Sequence, residues 1–122
     1  MKITINDNRK IFAIQESFNQ LFPYLKIEFF SKPHKLNGGS AKKYIKSASK
    51  TIGDCRTIHK SGTITITPQM TVTELEDHFK DVFGLNAQVF RQSGKVWLET
   101  TVTDGWTLEE QNVQGESLSI KI

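Results

Sequence analysis

The chain has 122 residues, a net charge of +3 and an apolar fraction of 37%, which describe one small domain with a thin core. The charged fraction of 24%, together with only 8 glycines and 3 prolines, excludes fibrous and disordered compositions, and the single cysteine excludes an internal disulfide. No apolar run is long enough to span a membrane, and the first ten residues lack the apolar centre of a signal peptide. We therefore expect a cytoplasmic protein with one α+β domain over residues 1–122.

An internal repeat at an offset of 61 residues organises the chain. The alternating triplet at 3–5 recurs at 64–66, a pattern typical of a strand with one buried face. After each triplet, five apolar residues recur at helical spacing and form one apolar stripe along a helix. The matched residues are Ile11, Ile14, Phe18, Leu21 and Phe22 in the first half and Val72, Leu75, Phe79, Val82 and Phe83 in the second.

Each half is therefore predicted to fold as strand, helix, strand. The predicted ranges are 2–6, 9–22 and 25–31 in the first half and 63–67, 71–84 and 87–92 in the second. Asp7 or Asn8 is the expected cap of the first helix, and Thr71 with Glu74 forms a capping box for the second. The order β-α-β-β-α-β predicts a ferredoxin-like arrangement with both helices on one face of an antiparallel sheet. The alternative is another α+β order built from two amphipathic units.

The two halves are separated by an inserted basic middle segment, residues 32–62. In this insertion we expect a short helix over 41–49 and a strand over 55–59, which a turn folds back onto the next strand.

Two further segments follow the second half. A turn at Ser93-Gly94 predicts a hairpin into an extra strand over 96–102. A capping pattern at Thr107 predicts a short C-terminal helix that ends near Gly115, and the alternating tail 118–122 indicates an edge strand.

The charge is unevenly distributed along the chain. Residues 32–60 carry eight basic side chains and one acidic one, whereas residues 61–122 carry four basic and nine acidic ones. One interpretation is that the basic segment folds over the acidic half and neutralises it. The other is an anion- or nucleic-acid-binding patch. Its candidate residues are Lys32, Lys35, Lys42, Lys43, Lys46 and Arg56.

Three aromatic residues, Phe30, Phe90 and Trp97, alternate out of phase with the core positions of their strands. We expect them on the sheet face away from the two helices, where they could stack on nucleic-acid bases. The alternative is that other segments cover them as a second small core. RNA-recognition modules carry aromatics on a central strand, and the run 63–67 has none, which excludes that family.

No motif in the chain specifies an enzyme. Cys55 and His59 lie four residues apart beside Asp54, but the predicted strand would place them about 13 Å apart, and a zinc site needs three or four ligands. We expect no catalytic residue, no metal and no cofactor.

The most distinctive segment of the sequence is the run from Lys95 to Asn112, KVWLETTVTDGWTLEEQN, together with residues 86–94 before it. It resembles a group of short uncharacterised bacterial proteins that end in a similar WLETT…D.WTLEEQN stretch. The resemblance covers most of the second half and implies a bacterial cytosolic protein, but no activity or functional residue. From the residues we expect a small non-enzymatic binding or adaptor module. Its partner would be another protein or a second copy, joined through an edge such as 96–102 or 118–122. The alternative is a nucleic-acid or polyanion binder.

Overall fold

The computed structural model describes residues 1–31 and 45–119. In these residues the chain forms a mixed α+β fold, as the sequence predicts. The strands are β1 (Lys2–Ile5), β2 (Leu25–Phe30), β3 (Gly62–Thr65), β4 (Asn86–Ser93) and β5 (Val96–Glu99). The helices are α1 (Ile11–Leu21), α2 (Val72–Phe83) and α3 (Leu108–Ser119). In the described part of the chain no helix is both long and apolar enough to cross a membrane.

The two helices of the repeat bury the apolar stripes that the spacing predicts. On α1 the buried residues include Phe18, and on α2 they include Phe79. Both aromatic rings are fully buried and belong to one hydrophobic cluster, which also holds the inward residues of β1 to β4. The two apolar stripes therefore share a single interior, as the sequence analysis expects.

The strands are divided between two antiparallel sheets. One sheet contains β1 and β3, and the other has the order β2-β4-β5. The ferredoxin-like arrangement is not confirmed, because it requires the four repeat strands to lie in one sheet. The pairing instead joins corresponding strands of the two halves, so that β1 meets β3 and β2 meets β4.

The register of the two sheets gives the repeat a pseudo-twofold axis. Lys2 lies opposite Thr65. Their equivalents in the other half, 61 residues away in the sequence, are Thr63 and Thr4, and these two residues also lie opposite each other. The pairing of β2 with β4 has the same property. The repeated sequence is therefore present in the structure as two related halves that pair with each other.

The first turn of α1 is capped by main-chain groups rather than by Asp7 or Asn8. The N-cap residue is Lys10, which makes no side-chain cap. The Ile11 N–H donates to the Lys50 carbonyl at 2.9 Å, and the next N–H donates to the Ala48 carbonyl. These bonds satisfy donors that a helix leaves unpaired at its start, which explains why the predicted cap is wrong.

The first turn of α2 repeats this arrangement. The Val72 N–H donates to the Trp106 carbonyl at 3.1 Å, and the Thr73 N–H donates to the Asp104 carbonyl at 2.9 Å. At this helix Thr71 and Glu74 add the predicted capping box. In each half, a segment that follows the strands of that half therefore returns to the N-terminus of its helix.

The described part of the insertion differs from its predicted structure. Residues 41–44 of the predicted helix lie outside the described residues, and 45–49 are not helical; Ile45 forms an antiparallel bridge with Phe30. The predicted strand over 55–59 is wrong: Cys55 ends a 3-10 turn, Ile52–Cys55, which has a capping box between Thr51 and Asp54, and residues 56–59 form neither helix nor strand. That capping box follows the same T-x-x-D/E pattern as the boxes that start α2 and the last helix, but here it starts only one turn.

The C-terminal region also departs from its prediction. The hairpin pairs Ser93 with Val96, so the turn residues are Gly94 and Lys95, one position later than expected. Gly94 has φ 62°, a left-handed conformation that favours glycine and fixes the turn there. Of the predicted edge strand, residues 118 and 119 belong to α3 and 120–122 lie outside the described residues.

The predicted end of the last helix at Gly115 is wrong, because this glycine permits a close helix–sheet contact. A Cβ atom at Gly115 would lie 2.9 Å from Tyr24 Cβ and 3.1 Å from Arg91 Cγ. Gly115→Ala should therefore destabilise the protein by about 1 to 2 kcal/mol. An exposed helix position normally gains stability from such a change. Urea denaturation of Gly115→Ala and of the control Glu116→Ala tests this, and a stabilised Gly115→Ala would contradict the close contact.

Candidate functional site

The basic candidate residues are only partly placed. Lys32, Lys35, Lys42 and Lys43 lie outside the described residues. Lys46 is half-buried, and its backbone N–H donates to the Phe29 carbonyl at 2.8 Å. Arg56 is buried, with 8% of the residue exposed. Of the two basic candidates that the structure places, Lys46 is therefore half-buried and Arg56 lies in the interior.

The guanidinium of Arg56 is engaged by the protein itself. Its Nε and Nη2 donate to Asp7 Oδ1 at 3.1 and 2.9 Å, and its Nη1 donates to the Phe83 carbonyl at 3.0 Å. Three of the five donors of this side chain are thus used inside the fold. This network links the start of α1 to the end of α2 across the two halves.

Asp7 also contacts a histidine. His59 Nδ1 lies 2.8 Å from Asp7 Oδ2, and the imidazole is more than half exposed. Desolvation raises the pKa of Asp7, but hydrogen bonds and positive charge from His59 and Arg56 outweigh it, so this pKa lies below its ordinary value. Asp7 therefore binds two basic partners, Arg56 and His59, with its two carboxylate oxygens. Within residues 1–31 and 45–119, no three His, Cys, Asp or Glu side chains are grouped to hold a metal.

The three candidate aromatics share one face of the three-stranded sheet. Phe30 and Phe90 are buried, at 1% and 7% exposure, and Trp97 is half-buried. On this face Lys26 Nζ lies 5.3 Å from the Phe90 ring and 5.2 Å from the Trp97 ring. Both distances are typical of cation–π contacts. The two buried rings have no surface on which a base could stack.

The polar residues beside these rings are also withdrawn from water. Glu28 lies 3.7 Å from Lys26, and burial raises the pKa of Glu28 against the lowering effect of Lys26 and Gln15. Gln88, opposite Glu28 on β4, is fully buried. On this face Phe30, Phe90 and Gln88 are therefore buried, whereas Lys26, Glu28 and Trp97 remain partly exposed.

Cys55 belongs to a shallow groove of about 280 Å³ between the 3-10 turn and the start of β4. Burial raises the pKa of its thiol; Lys46 partly counteracts this, whereas Asp54 adds to it. A raised pKa lowers the fraction of thiolate, which is the nucleophilic form. The group therefore has the properties of a structural thiol.

The exposed apolar side chains concentrate near the C-terminus. Those in 96–118 are Val96, Leu98, Val102, Trp106, Val113 and Leu118. Trp106 and Val113 line one groove of about 440 Å³ on the outer side of α3, together with Glu109, Glu110 and Gln114. We call these five residues the α3 groove. Arg91 supports the groove, since its guanidinium carbon lies 5.6 Å from the centre of the Trp106 ring.

Two of the five residues of the α3 groove are acidic. Glu109 and Glu110 form part of its lining, and Glu116 is exposed on the same helix. The carboxylate of Glu110 accepts the Thr107 N–H at 3.0 Å, and this bond lowers the pKa of Glu110. The groove is therefore apolar at its base and negatively charged at its rim.

Sequence reasoning did not identify the α3 groove or the Asp7–Arg56–His59 network. The groove had a signal in the sequence, because Trp106 and Val113 are seven residues apart, the spacing of two residues on one side of a helix, and Trp106 lies just before the start of α3. The network had none, since Asp7 and Arg56 are 49 residues apart. Comparison of the chain with protein-family models, with curated proteins and with solved structures gave no match.

Proposed function

We propose that the protein is a cytoplasmic, non-enzymatic binding module, and that the α3 groove binds a cationic amphipathic segment of a partner protein. The observation that carries the proposal is the combination of Trp106 and Val113 with a rim of carboxylates. Trp106 is 39% exposed and Val113 is 59% exposed, so both side chains are available to an incoming apolar side chain. The free thiol of Cys55 suits a reducing compartment.

The chemistry of the groove favours a helical segment with lysine or arginine beside leucine. Apolar side chains of such a segment would fill the groove, as amphipathic helices do in other grooves. Its cations would lie near Glu109, Glu110 and Glu116. The same negative rim repels a nucleic-acid backbone, so the polyanion alternative requires a different surface.

The test uses a synthetic leucine–lysine amphipathic peptide and the fluorescence of Trp106. Trp97→Phe leaves Trp106 as the one tryptophan of the chain. We expect the peptide to shift the Trp106 emission to shorter wavelength, because the ring loses contact with water. In that background Val113→Ser or Glu109→Lys should each weaken binding by about tenfold, whereas Phe12→Ser, on the exposed face of α1, should not change it.

Two results would count against the proposal. The first is equal affinity for a leucine–glutamate peptide of the same length, and the second is unchanged affinity of Val113→Ser. Binding of single-stranded DNA with a steep salt dependence, reduced by Lys46→Ala, would favour the polyanion alternative instead.

A further inference from the structure

The two edges of the three-stranded sheet differ. At the β2 edge, Gln15 Nε2 donates to the Ile27 carbonyl at 2.9 Å, and Asn19 Nδ2 donates to the Leu25 carbonyl at 2.9 Å. The Lys46 N–H donates to the Phe29 carbonyl, which is the next outward carbonyl of the same strand. These bonds occupy the positions that an added strand would need, so this edge is blocked.

The β5 edge has outward backbone groups. Ser93 and Val96 flank the hairpin turn, and the Thr100 N–H donates to the Val89 carbonyl. Alternation along an antiparallel ladder then directs the backbone groups of Val96 and Leu98 towards β4 and those of Trp97 and Glu99 away from it. In the described part of the chain β5 is the last strand of its sheet.

The sequence of this edge is complementary to itself when it is read in the antiparallel direction. The run Lys95–Glu99 reads KVWLE. Centred on Trp97, an antiparallel partner of the same sequence places valine opposite leucine, tryptophan opposite tryptophan, and lysine opposite glutamate. Trp97 would form a hydrogen-bonded pair with its counterpart, as its outward backbone groups require.

We propose that β5 pairs with β5 of a second copy of the chain, across a twofold axis at Trp97, and joins the two three-stranded sheets into one. The exposed side chains of Val96 and Leu98, at 56% and 44%, would then contact each other across the new pair. Charge complementarity selects this arrangement, because a parallel in-register pair would place Lys95 beside Lys95 and Glu99 beside Glu99. If the two β5 strands were shifted by one residue, the face that carries Trp97 in one copy would continue into the face that carries Val96 and Leu98 in the other.

The self-complementarity gives a test by charge reversal with the full chain. Sedimentation equilibrium of the unmodified protein should show a monomer–dimer equilibrium. Lys95→Glu alone and Glu99→Lys alone should each weaken the dimer by about tenfold, since each turns two attractive cross-strand pairs into repulsive ones. An equimolar mixture of the two variants should form a heterodimer with the affinity of the unmodified protein, because every pair across the axis is again attractive.

A backbone variant tests the strand pairing itself. Glu99→Pro removes an outward N–H and leaves the β4–β5 ladder intact, since proline is tolerated where an edge N–H faces solvent. We expect Glu99→Pro to be monomeric and Glu99→Ala to remain a dimer, with circular dichroism confirming that both are folded. A monomer at millimolar concentration, no recovery in the mixture, or a dimeric Glu99→Pro would each overturn the proposal.

Discussion

Phe79→Ala should lower the free energy of unfolding by about 3 to 5 kcal/mol, the range measured when a buried phenylalanine is truncated in a core. Phe79 is fully buried, and its ring lies 5.4 Å from that of Phe29 in an edge-to-face arrangement. The neighbouring core side chains are themselves buried, so they can fill the resulting space only by leaving their own contacts. Such a loss is a large part of the stability of a small domain.

The pseudo-twofold relation extends this prediction to the other half. Phe18 occupies the equivalent position on α1, is also fully buried and packs 5.5 Å from Phe22. Phe18→Ala should therefore have a similar cost, whereas Phe12→Ala, at an exposed position on the same helix, should cost less than about 1 kcal/mol. Urea denaturation at constant pH measures all three. A cost below about 1 kcal/mol for Phe18→Ala would show that the halves do not share a core.

The second large effect is expected at the ion pair between Arg56 and Asp7. Asp7→Asn keeps the shape of the side chain but leaves the buried guanidinium of Arg56 without its counter-ion. The loss of this partner should be destabilising, because the Arg56 side chain is fully buried while the Asp7 side chain is 38% exposed. Arg56→Leu removes the charge and also a hydrogen bond to the Phe83 carbonyl. We expect it to be destabilising by about 2 to 3 kcal/mol.

The same pair predicts a pH dependence. The pKa of Asp7 is lower in the folded state than in the unfolded state, so its contribution is fully present above the unfolded value, near pH 4. It is lost as the pH falls through the folded value, because the carboxyl must then be protonated. Asp7→Asn should remove this part of the acid sensitivity. Denaturation curves between neutral pH and pH 3 that decline equally in both proteins would contradict this role of Asp7.

The helices and the repeat can be predicted from the sequence because both depend on local periodicity. The spacing from Ile11 to Phe22 predicts α1, and its recurrence at Val72 predicts α2, since an apolar stripe at helical period is compatible with few structures other than a helix. The strand partners are not local: Ile27 pairs with Val89, which is 62 residues away, and alternation alone is compatible with several neighbouring strands.

The candidate site is less accessible to sequence reasoning. Alternation correctly separates Phe30, Phe90 and Trp97 from the core positions, but it cannot say whether another segment covers them. Gly115 illustrates the same limit, because a glycine near a helix end indicates a stop unless a neighbouring residue such as Tyr24 requires its small size.

The pairing of the two halves is tested most directly by cross-strand nuclear Overhauser effects. Directly opposite residues in a non-hydrogen-bonded antiparallel pair have their α-protons close together. We predict contacts between the α-protons of Ile27 and Val89 and between those of Thr4 and Thr63. Contacts from Ile27 to residues of β3, with none to β4, would instead place the four repeat strands in a single sheet and contradict the pseudo-twofold arrangement.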